Sequence, residues 1–145
     1  MKAACLFFFA IAILGMCHAC KTQKKLSGDS ATPLKNTYWR LEEANGKPVI
    51  TPADAKEVHL LLSDDGHVSG FGGCNAAGGS FTLSGKNGIH FRTISTKMYC
   101  QSRMDVEDSF FQALQHADHY RIEGEDMFLY QGDKQLAHFH AQPSR

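Results

Sequence analysis

The chain has 145 residues, of which 43% are hydrophobic and 21% charged, so it is long enough for one domain and too apolar for a disordered protein. Its 15 Lys and Arg residues are balanced by 15 Asp and Glu residues. A formal net charge of zero argues against nucleic-acid binding, which needs a surplus of cations. These values exclude a multidomain enzyme.

The first twenty residues resemble a bacterial lipoprotein signal. Lys2 is followed by an uncharged apolar run over residues 3–16, which has the size of the hydrophobic region of a secretory signal and is short for a membrane span. The small residue Ala19 precedes Cys20, so we expect cleavage before Cys20 and lipidation of its sulfur. Cys17 is the alternative, although a bulkier residue precedes it.

The predicted organisation of the chain has four parts. Residues 1–19 form the lipoprotein signal, residues 20–33 the lipidated cysteine and a flexible polar tether, residues 34–140 the folded domain, and residues 141–145 a C-terminal tail. No acidic run of the kind that some surface-displayed lipoproteins carry follows Cys20, so by resemblance we expect an anchor in the outer membrane, facing the periplasm. We therefore expect a cell-envelope protein whose first partner is the membrane, held there by more than one acyl chain.

From residue 34 onward, short alternating apolar segments predict antiparallel strands joined by tight turns. Asn-Gly and Asp-Gly pairs are strong β-hairpin signals, and glycine turns separate the later segments. Because hairpins recur and β-α-β units do not, we predict an α+β fold that is mainly antiparallel, a curved sheet or partly open small β-barrel with one packed α-helix. The turns lie at residues 45–46, 65–66, 85–88, 124–126 and 132–134.

One segment has the apolar periodicity of a helix. The pattern predicts an amphipathic helix from Asp105 to about Ala117, with Ser102 or Asp105 as the N-cap. We expect its apolar face to pack on the sheet, because an isolated helix of this length is only marginally stable in water. The apolar face contains Val106, Phe110, Phe111, Leu114 and Ala117.

The glycine-rich segment Gly70–Ser80 has to be compared with phosphate-binding loops. A Rossmann fingerprint that starts at Gly70 needs glycine at position 75, which is Asn75. A P-loop counted from Gly73 needs lysine at position 79, which is Gly79. No helical pattern follows, so the usual attractions for phosphate are missing. We expect instead a sharp bend or bulge with a close approach of the backbone.

Two cysteines remain in the predicted domain, Cys74 and Cys100. In an oxidising compartment an even pair favours a disulfide, which would close a loop of about 27 residues. Two reduced buried thiols and a catalytic nucleophile stay open as alternatives, because the sequence does not fix the distance between the two Cα atoms.

Seven of the eight histidines lie outside the signal and raise the question of a metal site. His138 and His140 share one face of a predicted strand, and His116 and His119 lie near the end of the predicted helix. A zinc site needs three or four converging ligands, and nothing in the sequence joins these two pairs. We predict surface histidines and no metal.

Adjacent acids occur at residues 42–43, 64–65, 107–108 and 125–126. Acid–base catalysis requires two carboxylates in a cleft with separated pKa values, which neighbouring turn residues rarely achieve. We predict that Glu107 is a solvated acid at the start of the helix, and that the domain has no catalytic residue and no cofactor.

Several of these segments, in this order, resemble the META domain, also called HslJ-like. The most specific are Gly70-Phe-Gly-Gly-Cys-Asn75 and Thr96-Lys-Met-Tyr-Cys100. Supporting segments are residues 36–41, 107–114 and 127–130. The resemblance implies an antiparallel, partly opened β-barrel with a packed helix, in a bacterial envelope protein that is often a lipoprotein linked to heat shock and stress tolerance. The family brings no accepted catalytic residues.

We therefore expect a lipid-anchored, non-enzymatic envelope protein that binds an apolar ligand or an envelope protein and no nucleic acid. Trp39, Phe71, Phe81 and Phe91 are candidates to line an apolar opening, although core positions suit them better. The alternatives are a structural or chaperone-like envelope factor that acts through surface contacts, and an enzyme that uses one of the two cysteines.

Overall fold

The structure, a computed structural model, describes residues 32–143. Cys17, Cys20, the predicted signal and most of the predicted tether lie outside the described residues, so lipidation stays a prediction. The elements are β1 (Tyr38–Ala44), β2 (Lys47–Pro48), β3 (His59–Leu62), β4 (His67–Phe71), β5 (Ala76–Ser84), β6 (Gly88–Ser95), α1 (Met104–His116), β7 (His119–Glu123), β8 (Asp126–Gln131) and β9 (Lys134–Gln142).

The nine strands form a ring, because the first long strand is hydrogen-bonded to the last. Each strand from β3 to β8 pairs antiparallel with the next in the chain, and β1 lies between β3 and β9. The short β2 pairs only with the C-terminal end of β1, at Glu43 and Ala44. The predicted class, mainly antiparallel β with one helix, is confirmed.

The predicted tight turns join consecutive strands of the ring. Asn45 and Gly46 have φ angles of 50° and 74°, as the two central residues of a type I′ turn require, and they connect β1 to β2. Asp65 and Gly66 belong to the four-residue turn 63–66 that connects β3 to β4 and is closed by a 3.1 Å bond from Gly66 N to Ser63 O. Local turn chemistry therefore sets the order of the strands.

The ring is weakest between β6 and β7. These strands share a single residue pair, Gly88 with His119, flanked by two backbone hydrogen bonds, from Ile89 N to Asp118 O at 3.1 Å and from Tyr120 N to Asn87 O at 2.9 Å. Helix α1 connects them in sequence and packs against β6 and β8. The helix thus packs beside the part of the ring where strand pairing is weakest, with Phe111 and Gln115 next to Phe91, Thr93 and Ser95 of β6.

Helix α1 begins at Met104, one residue before the predicted start, but neither predicted cap is used. Arg103 occupies the N-cap position, and no side chain caps the helix. The prediction of Ser102 or Asp105 as cap is wrong because a turn, closed by a 3.1 Å bond from Arg103 N to Cys100 O, sets the helix start. Ser102 lies inside that turn, and Asp105 lies in the first helical turn.

The core lies inside the ring and is filled by the domain's own side chains. Trp39, Phe110 and Phe139 are fully buried, and the rings of Phe110 and Phe139 meet edge to face at 6.4 Å. Trp39 donates from Nε1 to Leu34 O at 2.9 Å, so its polar atom is satisfied inside the core. Within residues 32–143, no helix is both long and apolar enough to span a bilayer.

Candidate functional site

The glycine-rich segment is two strands joined by a tight bend over residues 72–75, and no helix follows it as a phosphate loop would require. The bend lies directly beneath α1. A Cβ atom at Gly72 would be 2.9 Å from Phe111 Cε2 and 3.0 Å from Glu107 Cγ. The predicted close backbone approach is therefore confirmed, and the close neighbour is the helix.

Glu107 is the centre of this contact. Its side chain is only 4% exposed. Oε2 accepts hydrogen bonds from Cys74 N at 2.9 Å and Asn75 N at 2.6 Å, and Oε1 accepts one from Asn75 Nδ2 at 2.6 Å. The prediction that Glu107 is solvated is wrong, because these N–H groups compensate the carboxylate for its loss of water.

The sequence did contain a signal for this role. Glu107 stands three, four and seven residues before Phe110, Phe111 and Leu114, so it belongs to the apolar face of the helix. A lone acid on a buried helical face needs partners from another element. The sequence alone does not say that the partners are backbone amides of the bend.

Asn75 links the same bend to the segment after β6. Its Oδ1 accepts hydrogen bonds from Thr96 Oγ1 at 2.8 Å and Met98 N at 2.7 Å, and its Nδ2 donates to Met98 O at 2.9 Å as well as to Glu107. Asn75 is 2% exposed. Both ends of the amide are satisfied, so the segment is held in one register against the bend.

A disulfide between Cys74 and Cys100 completes the arrangement, with Cα atoms 5.7 Å apart. Of the alternatives left open by the sequence, the structure contains the disulfide. While the bridge is intact neither sulfur is a thiolate, so neither can act as a nucleophile. We refer to Asn75, Glu107 and the Cys74–Cys100 disulfide together as the motif clamp.

A second polar group lies on the outer face of β8 and β9. Asp126 Oδ1 accepts hydrogen bonds from His138 Nε2 at 2.8 Å and His140 Nδ1 at 3.0 Å. Burial raises the pKa of the Asp126 carboxyl, but the hydrogen bonds and charges of the two histidines outweigh it, and the pKa is lowered. The ring of His138 also stacks on Phe128 at 4.7 Å.

The other histidine pair stays separate from this group. His116 Nδ1 contacts Gln112 O at 2.9 Å, whereas His119 contacts Asp118 and stacks on Tyr130. Among residues 32–143, no three His, Cys, Asp or Glu side chains are arranged to hold a metal ion. The two histidine pairs are thus local surface contacts.

The four aromatic residues considered for an apolar opening mostly face inward. Trp39, Phe81 and Phe91 belong to the hydrophobic core and are at most 9% exposed. Phe71 is half-buried, and Lys56 Nζ lies 4.9 Å from its ring centroid. The hypothesis that these aromatic side chains line an opening is not supported, because the inside of the closed sheet is filled by core side chains.

The fold and the motif clamp define a small domain in which a closed antiparallel sheet is covered by one helix and fastened by one disulfide. The chain belongs to the META domain family, whose model matches residues 32–143. That match includes every residue of the motif clamp.

Solved structures share the fold of this chain. An NMR structure of a protein from Burkholderia xenovorans is 27% identical, with a TM-score of 0.60, over 77% of this chain and 85% of that chain. A second protein solved by NMR is 21% identical, with a TM-score of 0.59, over 74% of this chain and 90% of that one.

A crystal structure of a DUF4847 family protein from Bacteroides vulgatus is 16% identical, with a TM-score of 0.53, over 74% of this chain and 94% of that chain. At such identities the second and third structures show a shared fold alone. No curated protein matches the chain significantly.

Proposed function

We propose that this META-domain protein is a lipid-anchored component of the bacterial cell envelope that acts by non-covalent binding and contributes to stress tolerance. The proposal is carried by the segment of residues 96–100, which the motif clamp holds in place. In this segment Met98 is 61% and Tyr99 80% exposed. Large apolar side chains that are exposed on a backbone held in place are typical of binding surfaces.

The structure favours this binding role over the alternative hypothesis of an enzyme that uses Cys74 or Cys100. Both sulfurs are joined in the disulfide, and both carboxylate oxygens of Glu107 accept hydrogen bonds from N–H groups of the bend. A general acid or base must reach a substrate, and a buried carboxylate with these partners has no free oxygen to offer. The groups of the motif clamp therefore favour display of a surface over chemistry.

The disulfide also supports an envelope location, since structural disulfides persist in oxidising compartments. Metabolic labelling with a palmitate analogue, followed by fractionation of the membranes, tests the anchor. We expect label on the native protein in the outer-membrane fraction, no label on Cys20→Ser, and normal label on Cys17→Ser. An unlabelled native protein, or label that depends on Cys17 instead, would contradict the proposed anchor.

The role in stress tolerance is tested by deleting the gene and challenging the cells with heat or detergent. We expect increased sensitivity that the native protein corrects. The anchored variant with Met98→Ser and Tyr99→Ser is expected to fold but not to restore tolerance. Leu83→Ser, a matched change of a 44% exposed apolar residue on β5, is expected to restore it.

Two results would count against the role. A deletion strain with unchanged tolerance would overturn the stress function. Full restoration by the Met98 and Tyr99 double variant would overturn binding through the displayed side chains.

A further inference from the structure

Strand β6 has one paired edge and one edge without a strand partner over most of its length. Thr96 N, just past the strand, donates to Ala76 O of β5 at 3.4 Å, whereas Ile89 N donates away from β5 to Asp118 O. Backbone groups of successive residues alternate in direction along an extended strand. The backbone groups of Phe91, Thr93 and Ser95 therefore face away from β5, and beyond Gly88 no strand of the described chain pairs with them.

The motif clamp continues this edge beyond the end of the sheet. The side-chain amide of Asn75 accepts from Met98 N and donates to Met98 O, as the backbone of a paired residue would do in a β-ladder. The backbone N–H and C=O groups of Met98 thus face the same side as the N–H group of Thr96. The backbone groups of Lys97 and Tyr99 face the other side, and no residue among 32–143 forms a hydrogen bond with them.

Residues 93–99, which we refer to as the exposed edge, also carry exposed apolar side chains. Ile94 is 76%, Met98 61% and Tyr99 80% exposed, so three of the five exposed large hydrophobic residues in the described chain lie here. The Asn75 contacts at Met98 and the disulfide at Cys100 hold the backbone of this edge in place before anything binds. Such preorganisation lowers the entropic cost of adding a strand.

The charged side chains along the exposed edge and at the strand residue before it are of one sign. Residues 92–99 contain Arg92 and Lys97 and no Asp or Glu, and the next acid in the chain is Asp105 in α1. An extended segment that carries acids beside apolar residues would complement this edge. A second copy would bring two cationic edges together, and the tether is itself cationic, with Lys21, Lys24 and Lys25 against a single acid.

We propose that the exposed edge binds an extended, acidic and apolar segment of another polypeptide as an added β-strand. Main-chain hydrogen bonds to Ser95, Lys97 and Tyr99 supply the pairing, and Ile94, Met98 and Tyr99 supply apolar contact. The acids of the partner pair with Arg92 and Lys97. This inference rests on the proposed binding role and names the surface that performs it.

The test uses the oxidised native protein, isotope-labelled and solubilised from membranes in detergent, and observes amide hydrogen exchange by NMR. In the free protein, the amides of Ser95, Lys97 and Tyr99 are expected to exchange quickly and that of Met98 slowly. A short peptide of alternating glutamate and valine should slow the first three by roughly tenfold or more.

Control peptides and a charge reversal sharpen the test. The same peptide with lysine in place of glutamate, and one with N-methyl groups on alternate amides, should bind at least about tenfold more weakly. Lys97→Glu should weaken the glutamate peptide and strengthen the lysine peptide. Lys47→Glu, on the exposed β2, should change neither.

Three results would overturn the proposal. They are no saturable binding of the glutamate peptide at millimolar concentration, equal binding of the N-methylated peptide, and protection that does not follow the predicted alternation. If the same amides become protected when the protein is concentrated without peptide, the edge pairs with a second copy of this chain, and the proposed acidic partner is wrong. None of these results alters the outcome of the labelling or complementation experiments, so a failure here is distinguishable from a failure of the proposed function.

Discussion

Glu107 shows how one side chain joins two elements of this fold. Its carboxylate belongs to α1, yet all three of its N–H partners belong to the bend between β4 and β5. A carboxylate suits this position because it offers acceptors only, whereas an amide would turn one donor toward another donor. The residue therefore serves as a fastening between helix and sheet.

Glu107→Gln is expected to lower the free energy of unfolding by about 1–3 kcal/mol, since a buried donor loses its acceptor. Urea unfolding of the oxidised protein measures the change. Asp108→Asn is the matched control, because Asp108 is the neighbouring acid and is exposed. We expect the control to stay within about 0.5 kcal/mol of the native protein. Equal stability of the two variants would contradict the role of Glu107.

Asp126 makes a pH-dependent contribution to stability. Its pKa is lowered in the folded protein, despite some burial, by hydrogen bonds from His138 and His140. A carboxyl with a lowered folded pKa stabilises the fold above its unfolded pKa, and this contribution is lost as the pH falls through the folded pKa. The loss should therefore occur in the acid range below about pH 4.

Asp126→Asn is expected to flatten the fall of unfolding free energy with decreasing pH below about pH 4. Urea unfolding at several acid pH values measures the slope. Asp133→Asn changes an exposed acid in the turn before β9 and serves as the control. A slope for Asp126→Asn as steep as that of the control would show that the contacts with the two histidines are unimportant.

Among the elements, the disulfide ties the β4–β5 bend to the segment between β6 and α1. Replacing both cysteines, by Cys74→Ser with Cys100→Ser, should cost about 3.5 kcal/mol on the loop-entropy estimate for about 27 residues. Urea unfolding with and without reductant measures the cost. Reductant should destabilise the native protein by a similar amount and leave the double variant unchanged; an effect on the double variant would point to another cause.

Packing of α1 on the sheet depends on Phe110, which is fully buried against Phe139. Phe110→Ala should lower the free energy of unfolding by about 3–5 kcal/mol, through lost burial and a cavity. Phe128→Ala is the control, because Phe128 is half-buried on the outer face, where its ring stacks on His138 and lies under the Arg121 guanidinium. A calorimetric melt should show a clearly smaller loss for the control.

At the scale of the whole molecule, the ring brings the two ends of the described chain together. β1 pairs with β9 over its whole length, and Thr32 and Pro143 line the same surface cleft. Pairing between such distant parts of the chain must form late, because loop-closure entropy is lost before the contacts are gained. Ring closure is therefore a global property of the fold.

A circular permutant that joins residue 143 to residue 32 by a short linker should fold when it is opened between Gly85 and Lys86, in the exposed β5–β6 turn. An opening between Gly78 and Gly79 should prevent folding, because β5 is paired there with both β4 and β6. Circular dichroism and disulfide formation report the outcome. A folded protein in the second case would show that the ring tolerates a break in its centre.

The local structure follows from short stretches of the amino-acid sequence. Asn45-Gly46 and Asp65-Gly66 specify tight turns through their own backbone preferences, and the apolar spacing from Val106 to Ala117 specifies a helix. Both signals act between residues close in the chain, so no tertiary information is needed to interpret them. The family resemblance rests on the same kind of ordered local motif.

The way in which these elements combine depends on contacts that exist only in the folded molecule. The closure of β1 on β9, the burial of Glu107, the pairing of Asn75 with Met98 and the helix start at Met104 all depend on groups distant in the chain. The physical reason is that hydrogen-bond partners and burial are set by where the chain returns in space. A carboxylate such as that of Glu107 needs hydrogen-bond donors, which follows from its residue type. Whether water, a side chain or a backbone amide supplies these donors depends on the fold.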